Sequence, residues 1–422
     1  MNERREPQSS RREFLKSSTA LAITPLLTRG VHTGGTELLR VGLIGCGGRG
    51  SGACVQALRA DENARLVAMA DAFPDRLEQS LARLRKTSVA GRVQVNPEHR
   101  FTGLDGYKGV IESSDVVLLA SPPHFRPRHL EAAIGAGKHV FCEKPVAVDA
   151  PGLRAVLGTC AKAREKGLSL VSGLCWRYDH GMQATFRKIH EGAIGEIVAI
   201  QATYHSGGLW HRGRRPEWSD MEWQIRNWTY FTWLAGDIIV EQHIHSLDKV
   251  AWAMQDVYPV RAYGNGGRQT RTDPRFGNVW DHFAICYEFE GGVKAFCSCR
   301  QNDGCDSNVS DHVMGTKGVC DVFRHRTIGE TAWRYEGPKE NMYQNEHDEL
   351  FASIRSGKPI HNGDYMCKST LMAIMGRMAG YTGKVVTWDQ VMSSKEDLTP
   401  PSYDFGPIAT PPVAKPGLTK FV

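Results

Sequence analysis

Leu38-Leu39-Arg40-Val41-Gly42-Leu43-Ile44-Gly45-Cys46-Gly47-Gly48-Arg49-Gly50 decides the fold. The first seven residues form a short apolar run rich in branched side chains, the pattern of a buried parallel strand. GxGxxG follows at once, and SGACVQALRA (51–60) then reads as a helix. Gly45 permits a tight turn, Gly47 lets backbone approach a pyrophosphate, and Gly50 lets helix pack on strand. Gly48 and Arg49 complete the loop. Phosphates on such a loop meet unpaired N–H groups at a helix N-terminus, where the dipole favours an anion. A second apolar strand, ARLVAMA, ends at Asp71, about 20 residues past the last glycine. An acid there accepts hydrogen bonds from both ribose hydroxyls and repels a 2′-phosphate, so NAD is expected over NADP. The same aspartate could instead cap the helix expected over 74–86.

Working outward, DVVLLA (115–120) leads into Ser121-Pro122-Pro123-His124, then a helix to Ala136 and the strand HVFCEKP. Strand–helix alternation of this kind means a parallel sheet with helices on both faces. Ligands on such sheets bind beyond the carboxyl ends of the strands. Ser121 and Lys144 fall at such ends, and Pro122, His124 and Glu143 are placed with them at the cofactor.

The chain has 422 residues, 41% of them hydrophobic and 23% charged, which excludes wholesale disorder and suggests two domains. No run approaches the roughly 20 apolar residues of a membrane span. Of the net charge of +6, residues 1–36 supply +3 (six Lys/Arg against three Glu), leaving +3 for the rest. So small an excess leaves no electrostatic footprint for nucleic acid. Eleven cysteines, an odd number, argue against a disulfide framework. Cys297, Cys299 and Cys305 read first as a strand carrying small side chains. Ser10-Arg11-Arg12-Glu13-Phe14-Leu15-Lys16 before SSTALAITPLL looks like a twin-arginine export signal, so a periplasmic protein exported already folded is expected.

VGLIGCGGRG (41–50), ASPPHFRPRHLEAAIGAGKHVFCEKPVAVD (120–149), GDIIVEQHIHSLD (236–248) and RSGKP…TGKVVTW (355–388) together resemble the glucose-fructose oxidoreductase / inositol dehydrogenase / rhizopine-catabolism (Gfo/Idh/MocA) family. AGKHVFCEKP is the most specific piece. The resemblance implies an α/β chain: an N-terminal Rossmann doubly wound parallel sheet, then an α/β domain with a large, mostly antiparallel open-faced sheet. Segments 1–36 (signal and linker), 37–150 (NAD-binding domain), 151–390 (substrate and oligomerisation domain, its C-terminal helix packing back) and 391–422 (Pro-rich tail) are expected. Strand-like alternation in IGEIVAIQATYHS, FAICYEFEGG and VKAFCSCRQ, with a turn at Glu290-Gly291-Gly292, agrees. Helices are expected over 345–356 and 366–381. A homodimer or homotetramer joined through the open sheet is also implied.

Hydride transfer from a secondary alcohol needs a base for the hydroxyl proton and a dry polar site for the alkoxide. The resemblance gives Lys144 the proton-transfer role. It also aligns His245 with the family histidine and Asp248 with a trailing aspartate, while Glu241 replaces an aspartate and His243 stands where glycine is usual. Helical spacing puts Glu241 and His245 on one face, so both are placed in catalysis. His243 implies a reshaped pocket. A metal held by Glu241, His243, His245 and His205 or His211 is considered, but histidines two apart on a helix point apart, and no metal is expected. Five tryptophans between 210 and 233 form either an aromatic loop that stacks on a sugar, with Arg226, Asn227 and Tyr230 on its hydroxyls, or a hydrophobic subdomain. Trp176, Arg177 and Tyr178 are placed as a wall near the nicotinamide, and His205 with the substrate.

Export sharpens the function. Free NAD is expected to be scarce outside the cytoplasm, so a tightly held NAD, recycled within one cycle, is expected in an oxidoreductase acting on a sugar or cyclitol. One alternative is a redox-neutral glycosidase, in which a transient ketone permits elimination, water adds, and the stored hydride returns. Another is a non-catalytic NAD-binding sensor.

Overall fold

The computed structural model describes residues 37–422; the twin-arginine motif at 10–16 lies outside the described residues. The glycine loop opens a run of alternating elements: β1 (Leu39–Ile44), α1 (Gly48–Ala60), β2 (Ala64–Asp71), α2 (Pro74–Leu84), β3 (Arg100–Thr102), α3 (Tyr107–Ser113), β4 (Val116–Leu119), α4 (Arg126–Gly135), β5 (His139–Cys142), α5 (Ala150–Glu165) and β6 (Leu170–Ser172). All six strands are parallel, in the order β3-β2-β1-β4-β5-β6. Both faces are covered by helices, so the strands bury residues of either parity: Val41 and Leu43 face one core, Ile44 and Leu119 the other. Each such side chain contributes about 1.5–3 kcal/mol on burial. The order reverses between β1 and β4, which opens a crevice beyond their carboxyl ends.

The chain continues through α6 (His180–His190), β7 (Ile197–Ser206), α7 (Asp220–Arg226), α8 (Thr232–Ala235), α9 (Ile238–Glu241), α10 (Ile244–Ala253), β8 (Arg261–Gly267), β9 (His282–Glu288), β10 (Lys294–Gln301), β11 (Asn308–Gly315), β12 (Gly318–Asp321), β13 (Arg326–Gly329) and β14 (Trp333–Arg334). It closes with α11 (Met342–Ser356), α12 (Gly363–Thr382), β15 (Val386–Thr387) and α13 (Trp388–Ser393). The second sheet runs β14-β13-β12-β11-β7-β10-β9-β8-β15, antiparallel except where β10 pairs with β7. β9 and β10 form the expected hairpin over Glu290–Gly292. Ala295, Cys297 and Cys299 of β10 point into the core, while Phe296 points out.

Two late helices tie the sheets together. α12 is buried almost all round, between β8 and β9 on one side and α5 on the other. α11 returns to α1, where the Arg355 guanidinium grips Asp61 at 2.6 and 2.9 Å. Segments 207–231 and 398–408 form a third apolar cluster with Phe73 and Phe125 of the first sheet's loops.

Candidate active site

A cleft of about 550 Å³ opens beyond the carboxyl ends of β1, β2, β4 and β5. Gly45 has φ +96°, and a Cβ there would lie 2.6 Å from the backbone of Ala120 and Ser121. At Gly50 a Cβ would lie 2.0 Å from the Gly45 carbonyl oxygen, so helix and loop touch backbone to backbone. Gly47 and Gly48 are different: a Cβ on either meets no protein atom within 4 Å, because both face the open cleft. Gly47 is the N-cap of α1 and no side chain caps it, so the first-turn N–H groups are free to receive an anion.

Asp71 ends β2 at the cleft. Its two oxygens accept from the Cys46 N–H (2.7 Å) and the Phe73 N–H (3.0 Å), which fixes the carboxylate toward the nucleotide loop. Burial raises its pKa, and those hydrogen bonds together with Arg76 oppose the rise. These residues therefore fit a dinucleotide: a bare glycine cradle on a helix end, and a fixed acid where a ribose would lie.

At the other end, Lys144 follows β5. Its Nζ donates to the backbone oxygen of Glu241 (2.5 Å) and to Glu241 Oε1 (3.2 Å). His245 lines the same cleft; its Nδ1 is buried without a partner. Burial, then the nearby Lys144, Lys249 and Arg49, hold its pKa well below 6.5, so the ring is neutral. Glu241 and His245 belong to different helices. The His243 N–H reaches back to Ile238 O at 3.0 Å, five residues, a widened turn that separates α9 from α10. Glu143 accepts from Arg49 Nε and from the Lys144 N–H (3.1 Å), and Arg49 also pairs with Glu346 at 2.5 Å. Ser121 Oγ contacts His129 Nδ1 at 3.1 Å, and Pro122 lines the cleft beside it.

Several expected residues lie elsewhere. His124 turns from the cleft to Tyr403 (2.8 Å) and Trp233, where burial pushes its pKa down to about 4. Arg177 is held by Asp248 and Asp256 between the rings of Trp252 and Tyr365, so both it and Asp248 are structural. Trp176 packs edge-on against Phe323, and buried Tyr178 donates to Asn362 (2.7 Å). Tyr230 donates to Leu209 O (2.8 Å) inside the third cluster. His205 contacts Ser298 (3.1 Å) and does not line the cleft. His243 is wholly buried, with neither ring nitrogen hydrogen-bonded, so it reshapes the core and not the pocket. Arg226 does line the cleft, but at the Asp71 end, paired to Asp75 and Glu222. Among the described residues no group of three or more His, Cys, Asp or Glu could hold a metal, and no helix is long and apolar enough to cross a membrane.

Sequence reasoning missed Arg126, a buried guanidinium at the cleft that donates to Pro145 O at 2.5 Å, its Nε unpartnered. Nothing local separates it from Arg128, which is exposed and pairs with Asp105. Phe73, Arg76, Arg212 and Tyr343 were missed too, since they arrive from three distant segments, whereas Trp210 and Trp228 of the tryptophan segment do line the cleft.

A Rossmann sheet with a glycine cradle, joined to an open-sheet domain whose helices α9 and α10 supply a lysine-facing carboxylate and a neutral histidine, defines a two-domain dinucleotide-dependent oxidoreductase. Residues 39–171 match the oxidoreductase family model with an NAD-binding Rossmann fold, and residues 182–321 match the GFO/IDH/MocA C-terminal domain. The chain belongs to the Gfo/Idh/MocA family. It is 31% identical over 287 residues to an inositol 2-dehydrogenase of Ralstonia nicotianae, spanning 67% of this chain and 73% of that one. It is 28% identical to the 2,7-anhydro-N-acetylneuraminate hydratase of Escherichia coli, over 58% of this chain and 60% of that protein's length. The fold is that of scyllo-inositol dehydrogenase from Lactobacillus casei with bound NAD(H) and scyllo-inositol: TM-score 0.64, 18% identity, covering 84% of this chain and 100% of that one.

Proposed function

We propose that this protein oxidises a ring hydroxyl of a sugar or cyclitol, using an NAD it retains and regenerates within one cycle. The observation that carries the reading is the Lys144–Glu241 contact, placed with neutral His245 in the cleft that begins at the glycine cradle. NAD, when bound, supplies the acceptor for the hydride that leaves the carbinol carbon. The remaining work belongs to the chain. Lys144 passes a proton to Glu241 Oε1 and takes the substrate hydroxyl proton on Nζ. His245, neutral, hydrogen-bonds the oxygen as charge builds on it, and the buried Arg126 cation at the cleft favours that charge. The inositol dehydrogenase among the relatives supports the substrate class.

A second reading, a redox-neutral glycosidase, is favoured by the relationship to a hydratase, whose named reaction has no net redox change. The two separate on one experiment. Purified protein is mixed with sugars, cyclitols and aryl glycosides without added NAD, and the nicotinamide absorbance is followed beside product analysis. Ketosugar accumulation supports the oxidoreductase; aglycone release with no lasting change in the nicotinamide supports the glycosidase. No response from any substrate class overturns both and leaves a sensor.

Export by the twin-arginine route to the periplasm is part of the proposal, resting on the motif at 10–16. So is a homo-oligomer joined through the outer face of the second sheet, where Phe296, Val319 and Ile328 are exposed. Fractionation of cells expressing the full chain, and light scattering on the purified protein, test these.

A further inference from the structure

The five-tryptophan segment was expected to stack on a sugar or to form a subdomain, and its position in the fold gives it another task. Trp210, Arg212, Ile225, Arg226 and Trp228 line the cleft at the end held by Asp71, Phe73 and Arg76, far along the chain from Lys144. That end is where the ribose-binding acid sits, so the segment faces the adenosine half of a bound dinucleotide. In a bare doubly wound fold this half lies at an open crevice.

The segment is fastened there by the Arg226 guanidinium, by the C-terminal arm and by a shared apolar cluster. The Arg226 guanidinium makes two hydrogen bonds to Asp75, at 2.8 and 3.1 Å, and a third to Glu222 at 2.8 Å. The same group lies 3.9 Å over the ring of Phe73 and 4.7 Å from that of Trp218, so it is stacked as well as paired. Phe73 and Asp75 follow Asp71 directly, as the N-cap and in the first turn of α2. The C-terminal arm then crosses over: the Met221 N–H donates to Gly406 O (3.1 Å), Gln224 Nε2 to Ile408 O (3.2 Å), and Phe405 packs on Phe73 with ring centres 5.8 Å apart. Met221, Ile225, Tyr230, Phe231 and Trp233 bury themselves with Phe73 and Phe125 in one cluster. Insert, Rossmann turn and tail are thus one packed unit over one end of the cleft.

Within the cleft Arg76 and Arg212 are cations for which no carboxylate lies within ion-pairing distance among the described residues, and Arg212 lies 5.1 Å over Trp210. Flat rings and planar guanidinium groups suit the faces of a purine.

We propose that residues 207–231, strapped down by 398–408, are a clasp that completes the adenosine site and makes NAD a resident group that does not exchange between turnovers. This rests on the cofactor reading above and adds to it the residues that do the retaining. Exchange then requires the Arg226–Asp75 latch and the third apolar cluster to open together, which sets a slow release rate.

The test uses the whole chain and reads nucleotide, not turnover. Wild-type protein, Asp75→Asn and Trp210→Ala are purified, their NAD(H) content is measured by mass after denaturation, and NADH release is followed by fluorescence on dilution into excess NAD. Asp75 and Trp210 are exposed, so neither change threatens folding. Circular dichroism and thermal midpoints verify this. The expected result is near-stoichiometric nucleotide in the wild type, and release at least about tenfold faster in both variants. Wild-type protein that holds nucleotide while both variants release it at the wild-type rate overturns the clasp and leaves the cofactor reading intact. Wild-type protein that takes up no NAD or NADH even when saturated overturns both.

Discussion

Replacing His243 by Phe should leave catalysis in place and flatten the acid side of the stability curve. The imidazole is fully buried, its nitrogens find no protein partner, and burial with Lys249 and His205 nearby lowers its pKa to about 3. In the unfolded chain the same ring titrates near 6.5, so below that pH the unfolded state binds a proton that the folded state refuses. The stability is therefore present above about pH 6.5 and is lost as pH falls toward 3. At pH 5 protonation favours the unfolded chain by about 2 kcal/mol, against about 0.2 at pH 7. Phe removes that term. It also removes two unpaired buried nitrogens, worth about 1–3 kcal/mol, and adds a little volume, but those effects shift the curve equally at both pH values. With about 2.1 cal/mol/K of unfolding entropy per residue, residues 37–422 give about 0.8 kcal/mol/K, so the pH-dependent part is about 2–3 °C. The assay is the thermal midpoint of wild type and H243F at pH 7 and pH 5, scanned at one rate. The variant should gain those degrees at pH 5 relative to its offset at pH 7. Parallel curves would refute the reasoning, and so would loss of substrate-driven nicotinamide reduction in a folded H243F, since it would return the ring to the pocket.

Three further outcomes follow from the cleft. Lys144→Met should lower the rate of substrate-driven nicotinamide reduction by about 10²–10⁴-fold while nucleotide content is kept, as measured by stopped-flow absorbance and mass. Gly47→Ala should leave the thermal midpoint of the nucleotide-free protein unchanged, since its Cβ meets no protein atom, yet weaken NAD binding in a fluorescence titration; Gly50→Ala should lose both, because its Cβ strikes the Gly45 oxygen. Asp71→Ala should weaken NAD more than NADP in the same titration, shifting the ratio toward NADP by about tenfold, because the carboxylate that would repel a 2′-phosphate is gone.

The first sheet was legible in the chain because everything it needs is local. A strand run, a glycine turn and a helix fit within Leu38–Ala60, and only glycine can turn at Gly45 or let α1 touch the loop at Gly50. Asp71 and Lys144 were legible for the same reason: each ends a recognisable strand, and parallel strands deliver their ends to one crevice. The β9–β10 hairpin and the two late helices came from alternation and helical spacing. Glu241 and His245 came from the family resemblance, and the single helix expected to carry both is divided by a widened turn that sends His243 inward.

Local pattern cannot say which of two similar side chains is consumed by packing. Trp176, Arg177, Tyr178 and Tyr230 have the chemistry of a sugar site, yet each is occupied by a partner 21 to 184 residues away in the chain, or by a ring met edge-on. Arg126 and Arg128 differ only in which way the first turn of α4 points them. Periodicity and glycine placement fixed the dinucleotide fold and the ends of its strands, because backbone sterics and helix dipoles act over a few residues. Which polar groups remain free at the cleft, and that Trp210 and Trp228 line it, were decided by tertiary packing alone, since a buried charge or ring goes wherever a distant segment offers it a partner.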